Sequence, residues 1–135
     1  MEDGRSNGRP TMIIERILHF RGSKSRADLQ TLFDTGATYS CINRSHAQEL
    51  ASLERLPDPL EMETASEGSF VRVEYAVRLD FYIDGIRLTD EFMVVPNLSE
   101  PALIGVTTMQ KWKIKLDFEH DQVVIDPRVT RMKLI

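Results

Sequence analysis

From Val71 to Ile83 the chain alternates in character: Val71, Val73, Tyr75, Val77, Leu79, Phe81 and Ile83 are apolar, and Arg72, Glu74, Ala76, Arg78, Asp80 and Tyr82 stand between them. A period of two sustained over thirteen residues is the signature of a β-strand with one face turned to a core, and no helix can gather those side chains on one side. Asp84-Gly85 follows directly, a pair suited to the positive φ angles of a tight hairpin, and residues 86–95 read as the returning strand. A hairpin of this length commits the core of the molecule to a β-sheet.

The remaining elements are shorter. Residues 11–20 and 27–33 read as strands on either side of the turn Arg21-Gly22-Ser23-Lys24-Ser25, and residues 39–42 as a short strand. Asn43 is a good N-cap for a helix over residues 44–53, which Pro57 and Pro59 should end. Residues 60–64 read as a strand joined to residues 70–83 through the polar turn 65–69. After the loop 96–101 come a short apolar strand at 102–104 and a helix at 106–112. A last hairpin, 113–118 with 123–125, turns at Glu119-His120-Asp121-Gln122. The fold class is all-β: a closed barrel with one or two short helices.

A length of 135 residues suits one domain with a real core. Residues 1–10 read as a disordered lead-in without the apolar stretch of a secretory signal, residues 11–126 as the domain, and residues 127–135 as a tail whose apolar ending leans towards an interface. No run approaches the ~18–20 apolar residues that cross a bilayer. A net charge of −4 with scattered basic residues argues against nucleic acid as a partner. The lone Cys41 precludes an internal disulfide and fits a reducing compartment, so the expected localisation is cytoplasmic.

The chemistry lies in Leu32-Phe33-Asp34-Thr35-Gly36-Ala37, where an apolar strand delivers a carboxylate onto a tight turn. By average composition, about three in every hundred chains of this length carry Asp-Thr-Gly by chance, so the context has to decide. Here the motif follows a buried strand, precedes a small residue and leads to a capped helix. A long hairpin with a glycine at its tip follows, and then the apolar-apolar-glycine segment Leu103-Ile104-Gly105, which opens a short helix.

That order resembles the retropepsin-like aspartic peptidases, the single-domain, retroviral-type relatives of pepsin that act as homodimers. The resemblance covers residues 12–125 and is closer to cellular or bacterial members than to viral ones. It rests on residues 32–37, on residues 103–105 and on the closing Trp112-Lys113-Ile114-Lys115-Leu116-Asp117-Phe118. It implies Asp34 as the catalytic aspartate, Thr35 bonding across a dimer beneath the aspartate pair, Gly36 and Ala37 leaving room for substrate, and Gly105 packing under the Asp34 loop. Ser66, Glu67, Gly68, Ser69 and Phe70 would form the tip of a flap over a bound peptide, with Val71 behind it. Ile42, Phe70, Val71, Val95 and Leu98 would line apolar subsites, and residues 96–101 would form a second wall.

The chain holds one such aspartate, so the resemblance implies a homodimer with one active site on its two-fold axis, a peptide or protein substrate, and no metal or cofactor. Many viral members carry charged residues where this chain has Thr38 and Val106, and join them in an ionic network that these residues cannot form. The alternative is a non-catalytic or latent dimer of the same fold that binds a peptide or joins partners. Other groupings are weaker. Cys41 and His46 as nucleophile and base compete with a small buried thiol. His19, His46 and His120 lack metal-ligand spacing. Trp112 reads as a core or interface anchor, and Asp117 as a turn residue without the following Thr/Ser-Gly.

Overall fold

The computed structural model describes residues 13–64 and 68–131. Among the described residues, nine strands, two α-helices and one 3₁₀ turn follow in chain order: β1 Ile13–Arg21, β2 Arg26–Asp34, β3 Cys41–Asn43, α1 Arg44–Leu50, β4 Glu54–Glu63, β5 Phe70–Ile83, β6 Ile86–Val95, β7 Ala102–Ile104, α2 Val106–Trp112, β8 Lys115–Asp117, β9 Gln122–Val124 and the 3₁₀ turn Pro127–Thr130. The strands β1-β2-β7-β3-β6-β5 lie side by side, and β5 returns to β1 through the pairs Phe20↔Phe81 and Arg21↔Asp80. A closed barrel results, with β4 attached outside β5 and β8-β9 as a separate two-stranded sheet.

The alternating strand lies where its pattern demands. Val77, Leu79, Phe81 and Ile83 face the main core, while Arg78 is exposed. Asp84 and Gly85 take φ values of 51° and 78° in the hairpin turn, the left-handed pair that matches the twist of the two strands. At the centre of the barrel, Phe20, Phe81 and Phe92 meet with ring centroids 5.7–6.2 Å apart, two of the three contacts edge-on. Such pairs each add about 0.5–1.5 kcal/mol beyond their buried area.

Two strands start later than expected, β3 at Cys41 rather than 39 and β8 at Lys115 rather than 113, where Lys113 caps α2 in the left-handed region; two elements differ more. The helix ends at Leu50 rather than 53, because the β1–β2 turn takes its last carbonyl: the Lys24 and Ser25 amides both donate to Leu50 O, at 2.9 and 3.2 Å. Gly22 allows this approach, since a Cβ there would lie 2.3 Å from that same oxygen. β4 begins at Glu54, not 60, and runs through Pro57 and Pro59. It is an edge strand, and its pairing with β5 jumps from Arg55↔Tyr75 to Leu60↔Val73. Prolines lacking an N–H are tolerated at such an irregular edge. The tail expected at 127–135 starts with the 3₁₀ turn, and Val129 packs against the main core. The lead-in 1–10 and the apolar ending 132–135 lie outside the described residues.

Candidate active site

Parallel pairing places β7 beside β2, with Leu32↔Leu103 and Phe33↔Ile104. The next residues along the two strands are Asp34 and Gly105, so this register brings the two sequence motifs together. On its other side β7 pairs with β3 through Cys41↔Leu103. The loop between Asp34 and Cys41 is thereby closed over the end of β7.

Asp34 ends β2, half-buried, with Thr35 and Gly36 exposed on the turn beyond it. The Gly36 amide donates to Asp34 Oδ1 at 2.8 Å, and the Ala37 amide donates to Asp34 O at 3.2 Å. Aspartate is suited to such a turn because its side chain can accept from the backbone two residues on. Here that contact fixes the orientation of the carboxylate.

The loop is also held from behind. The first amides of a helix have no partner within it, and those of α2 reach the loop: Val106 donates to Ala37 O at 2.8 Å and Thr107 to Thr38 O at 3.1 Å. Backbone bonds thus tie residues 37–38 of the loop to residues 106–107 of α2. Gly105 lies hard against the loop, where a Cβ would sit 2.5 Å from Tyr39 O and 3.0 Å from Ala37 O. Only glycine fits there without moving the loop.

An apolar cluster separate from the main core lies on this side of the barrel. Leu32, Cys41, Val73, Met93, Val95 and Leu103 are buried in it, with Ala37, Leu60, Met62, Val71 and Leu98 packed half-buried around them. Its members link the Asp34 loop to the β4–β5 arm and to the 96–101 loop. Of the residues expected to line subsites, Val71, Val95 and Leu98 belong to this cluster. Ile42 does not. It is 0 % exposed in the main core, and successive strand residues point to opposite faces, so the residue on the cluster side is Cys41. Phe70 is 60 % exposed on the β4–β5 arm. Gly68 and Ser69 are exposed beside it, and Ser66 and Glu67 fall outside the described residues.

Three polar residues that sequence reasoning passed over support the loop: Ser40 and Thr108 are buried and Asp90 is half-buried. The Gly105 amide donates to Ser40 Oγ at 3.0 Å, Ser40 hydrogen-bonds Thr108, and Thr108 donates to Asp90 Oδ2 at 2.7 Å. Their separation along the chain, 68 residues between Ser40 and Thr108, leaves no local pattern to read. The one available signal is a threonine on the apolar side of a short helix.

Other features carry less. A hollow of about 540 Å³ lies between β1 and β9 and is lined by Ile17, Leu18, Phe33, Val123 and Val124 among others; no residue of the 34–39 loop borders it. Asp117, Glu119 and His120 bring ligand atoms within 4.8 Å of one another on the exposed β8–β9 turn. Asp117 accepts there from the His120 amide at 3.2 Å and meets His120 Nδ1 at 2.8 Å, so turn-making contacts account for this grouping.

Residues 24–131 match the family model described as retroviral aspartyl protease. The chain belongs to that family. Among solved structures, it is similar to the retroviral protease-like domain of Ddi1 from Leishmania major, at 13 % identity over 87 % of this chain and 90 % of that one, with a TM-score of 0.64. It is also similar to the EIAV protease complexed with the inhibitor HBY-793, at 19 % identity over 86 % of this chain and 99 % of that one, with a TM-score of 0.52. No curated protein matches the chain. These likenesses establish the retropepsin-like fold.

Proposed function

We propose that this protein is an aspartic endopeptidase whose active site forms when two copies bring their Asp34 carboxylates together. The observation that carries this reading is the Asp34 turn itself: a carboxylate fixed by the Gly36 amide, on a loop hung from the start of α2, in a chain of the retroviral aspartyl protease family. A single chain supplies one such turn. Acid–base chemistry with paired aspartates takes its second carboxylate from a second chain.

Two carboxylates ~3 Å apart do not both ionise, so the pair holds one shared proton. The ionised member takes a proton from a water between them as that water attacks the scissile carbonyl. The protonated member donates to the carbonyl oxygen as the tetrahedral intermediate forms. Collapse of that intermediate returns the proton to the leaving amine. The pH–rate profile then reports constants of the pair rather than of either residue.

The substrate is an extended segment of another protein, or of the enzyme's own precursor, laid as an added strand beneath the β4–β5 arm. Phe70, Val71, Val95 and Leu98 favour apolar side chains at the cleaved bond. The lone thiol fits a reducing compartment, and we place the enzyme in the cytoplasm.

The test is cleavage of a diverse peptide library at pH values from about 4 to 7, spanning dyad titration, with wild type beside Asp34→Asn. Cuts made by the wild type alone, with Asp34→Asn folded and of the same mass, are the expected result. Retained cutting by Asp34→Asn would sink the mechanism. No cuts from a confirmed wild-type dimer would leave a peptide-binding or scaffolding module.

A further inference from the structure

The peptidase reading requires the Asp34 loop to be held to a fraction of an ångström, and the first turn of α2 holds it. What holds α2 is a buried relay whose direction can be worked out atom by atom. A carboxylate only accepts, so the Thr108 hydroxyl donates to Asp90 Oδ2, at 2.7 Å. With its proton committed there, Thr108 Oγ1 accepts from the Ser40 hydroxyl. Ser40 Oγ in turn accepts from the Gly105 amide, at 3.0 Å. Ser40 and Thr108 are 3 % and 2 % exposed, so water does not compete for these bonds.

The far end of the relay is fixed as well. Asp90 Oδ1 takes the Glu91 amide at 2.8 Å and Lys111 Nζ at 3.4 Å, and Trp112 Nε1 donates to Thr89 O at 2.9 Å. Both ends of α2 are thereby anchored to one short stretch of β6. Three consecutive amides, those of Gly105, Val106 and Thr107, leave this anchored segment for Ser40, Ala37 and Thr38.

Resting on the peptidase reading and deepening it, we infer that Thr108 is a positioning residue for Asp34, fixing the loop through Ser40 and Gly105 on one side and through Asp90 on the other. Ser40 and Asp90 act with it, and none of the three touches the reacting atoms. A shift of α2 along β6 would carry the carbonyl partners of the loop with it. Small displacements of a catalytic group cost rate far more than they cost substrate binding.

The experiment uses Thr108→Val, which keeps the shape and removes the hydroxyl, and Thr108→Ser, which restores the hydroxyl. With a peptide cut by the wild type, kcat for Thr108→Val should fall about ten- to a hundredfold with KM nearly unchanged, and Thr108→Ser should recover most of it. Amide exchange followed by NMR should accelerate at Gly105, Val106 and Thr107 while the β5–β6 amides keep their protection. Wild-type kcat in Thr108→Val would overturn the inference. So would faster exchange spread evenly over the barrel, which marks plain destabilisation. Should Thr108→Val not fold, Ser40→Ala removes both the acceptor of the Gly105 amide and the donor to Thr108, and an unchanged kcat there overturns it equally. If the wild type cuts no peptide, the peptidase reading fails, and the local exchange pattern still decides whether Thr108 holds the loop.

Discussion

Asp34 owes its position to its neighbours on the backbone. One of its oxygens is held by the Gly36 amide, and the loop carbonyls are held by α2, so the side chain is oriented before any partner or substrate arrives. Close by, Cys41 shows what burial does to an ionisable group. Loss of water around the sulfur pushes its thiol from the ordinary 9.0 up to about 12. An unfolded chain would release this proton earlier than the fold does. The associated stability is therefore whole below 9.0 and declines as pH rises towards about 12. Native protein at about pH 8 should react with a thiol reagent only as fast as it opens, whereas denatured protein reacts at once. Rapid labelling of the native protein would show that the thiol is not buried. Cys41 also marks where residue-level reading slipped. The apolar character of 39–42 was plain, but which of Cys41 and Ile42 faced the cluster depended on strand phase, and one residue of slip exchanges the faces.

Among the elements, α1 is the clearest case of a local signal surviving into the fold. Asn43 Oδ1 accepts from the Ser45 amide at 2.9 Å, the capping contact expected of asparagine. Its Nδ2 also donates to Leu98 O at 2.7 Å, tying the helix start to the 96–101 loop. Asn43→Ala should cost about 1 kcal/mol for the cap, with a further loss for the tether, read from the urea midpoint. Exchange at the amides of that loop should rise with it; a midpoint within error of wild type would show that neither contact matters. β4 is the opposite case. Its two prolines read as the end of the preceding helix, yet the strand runs through them, because an irregular edge leaves their missing donors without consequence.

At the scale of the molecule, the barrel closes through two residue pairs between β1 and β5, and β7 is threaded in parallel beside β2 so that residues 71 apart, Phe33 and Ile104 among them, become neighbours. The proposed chemistry extends one step further, to a second chain. Wild type at micromolar concentration should scatter light as a dimer, and activity per chain should fall as the protein is diluted through its dissociation constant. A compact monomer with undiminished specific activity would remove the shared site as proposed.

Sequence alone determined the long hairpin, the turn at Asp84-Gly85, the cap at Asn43 and the Asp34 turn, because each is written in residues close along the chain. Alternation, turn chemistry and capping act over a few residues, and tertiary contacts here reinforce them. Tertiary structure alone decided what depends on distant segments meeting: the early end of α1 under the β1–β2 turn, the assignment of Cys41 rather than Ile42 to the apolar cluster, and the relay from Gly105 through Ser40 and Thr108 to Asp90. Those residues carry no periodic or local signature, and their roles arise only when barrel closure brings them together and their polar groups find partners in one another.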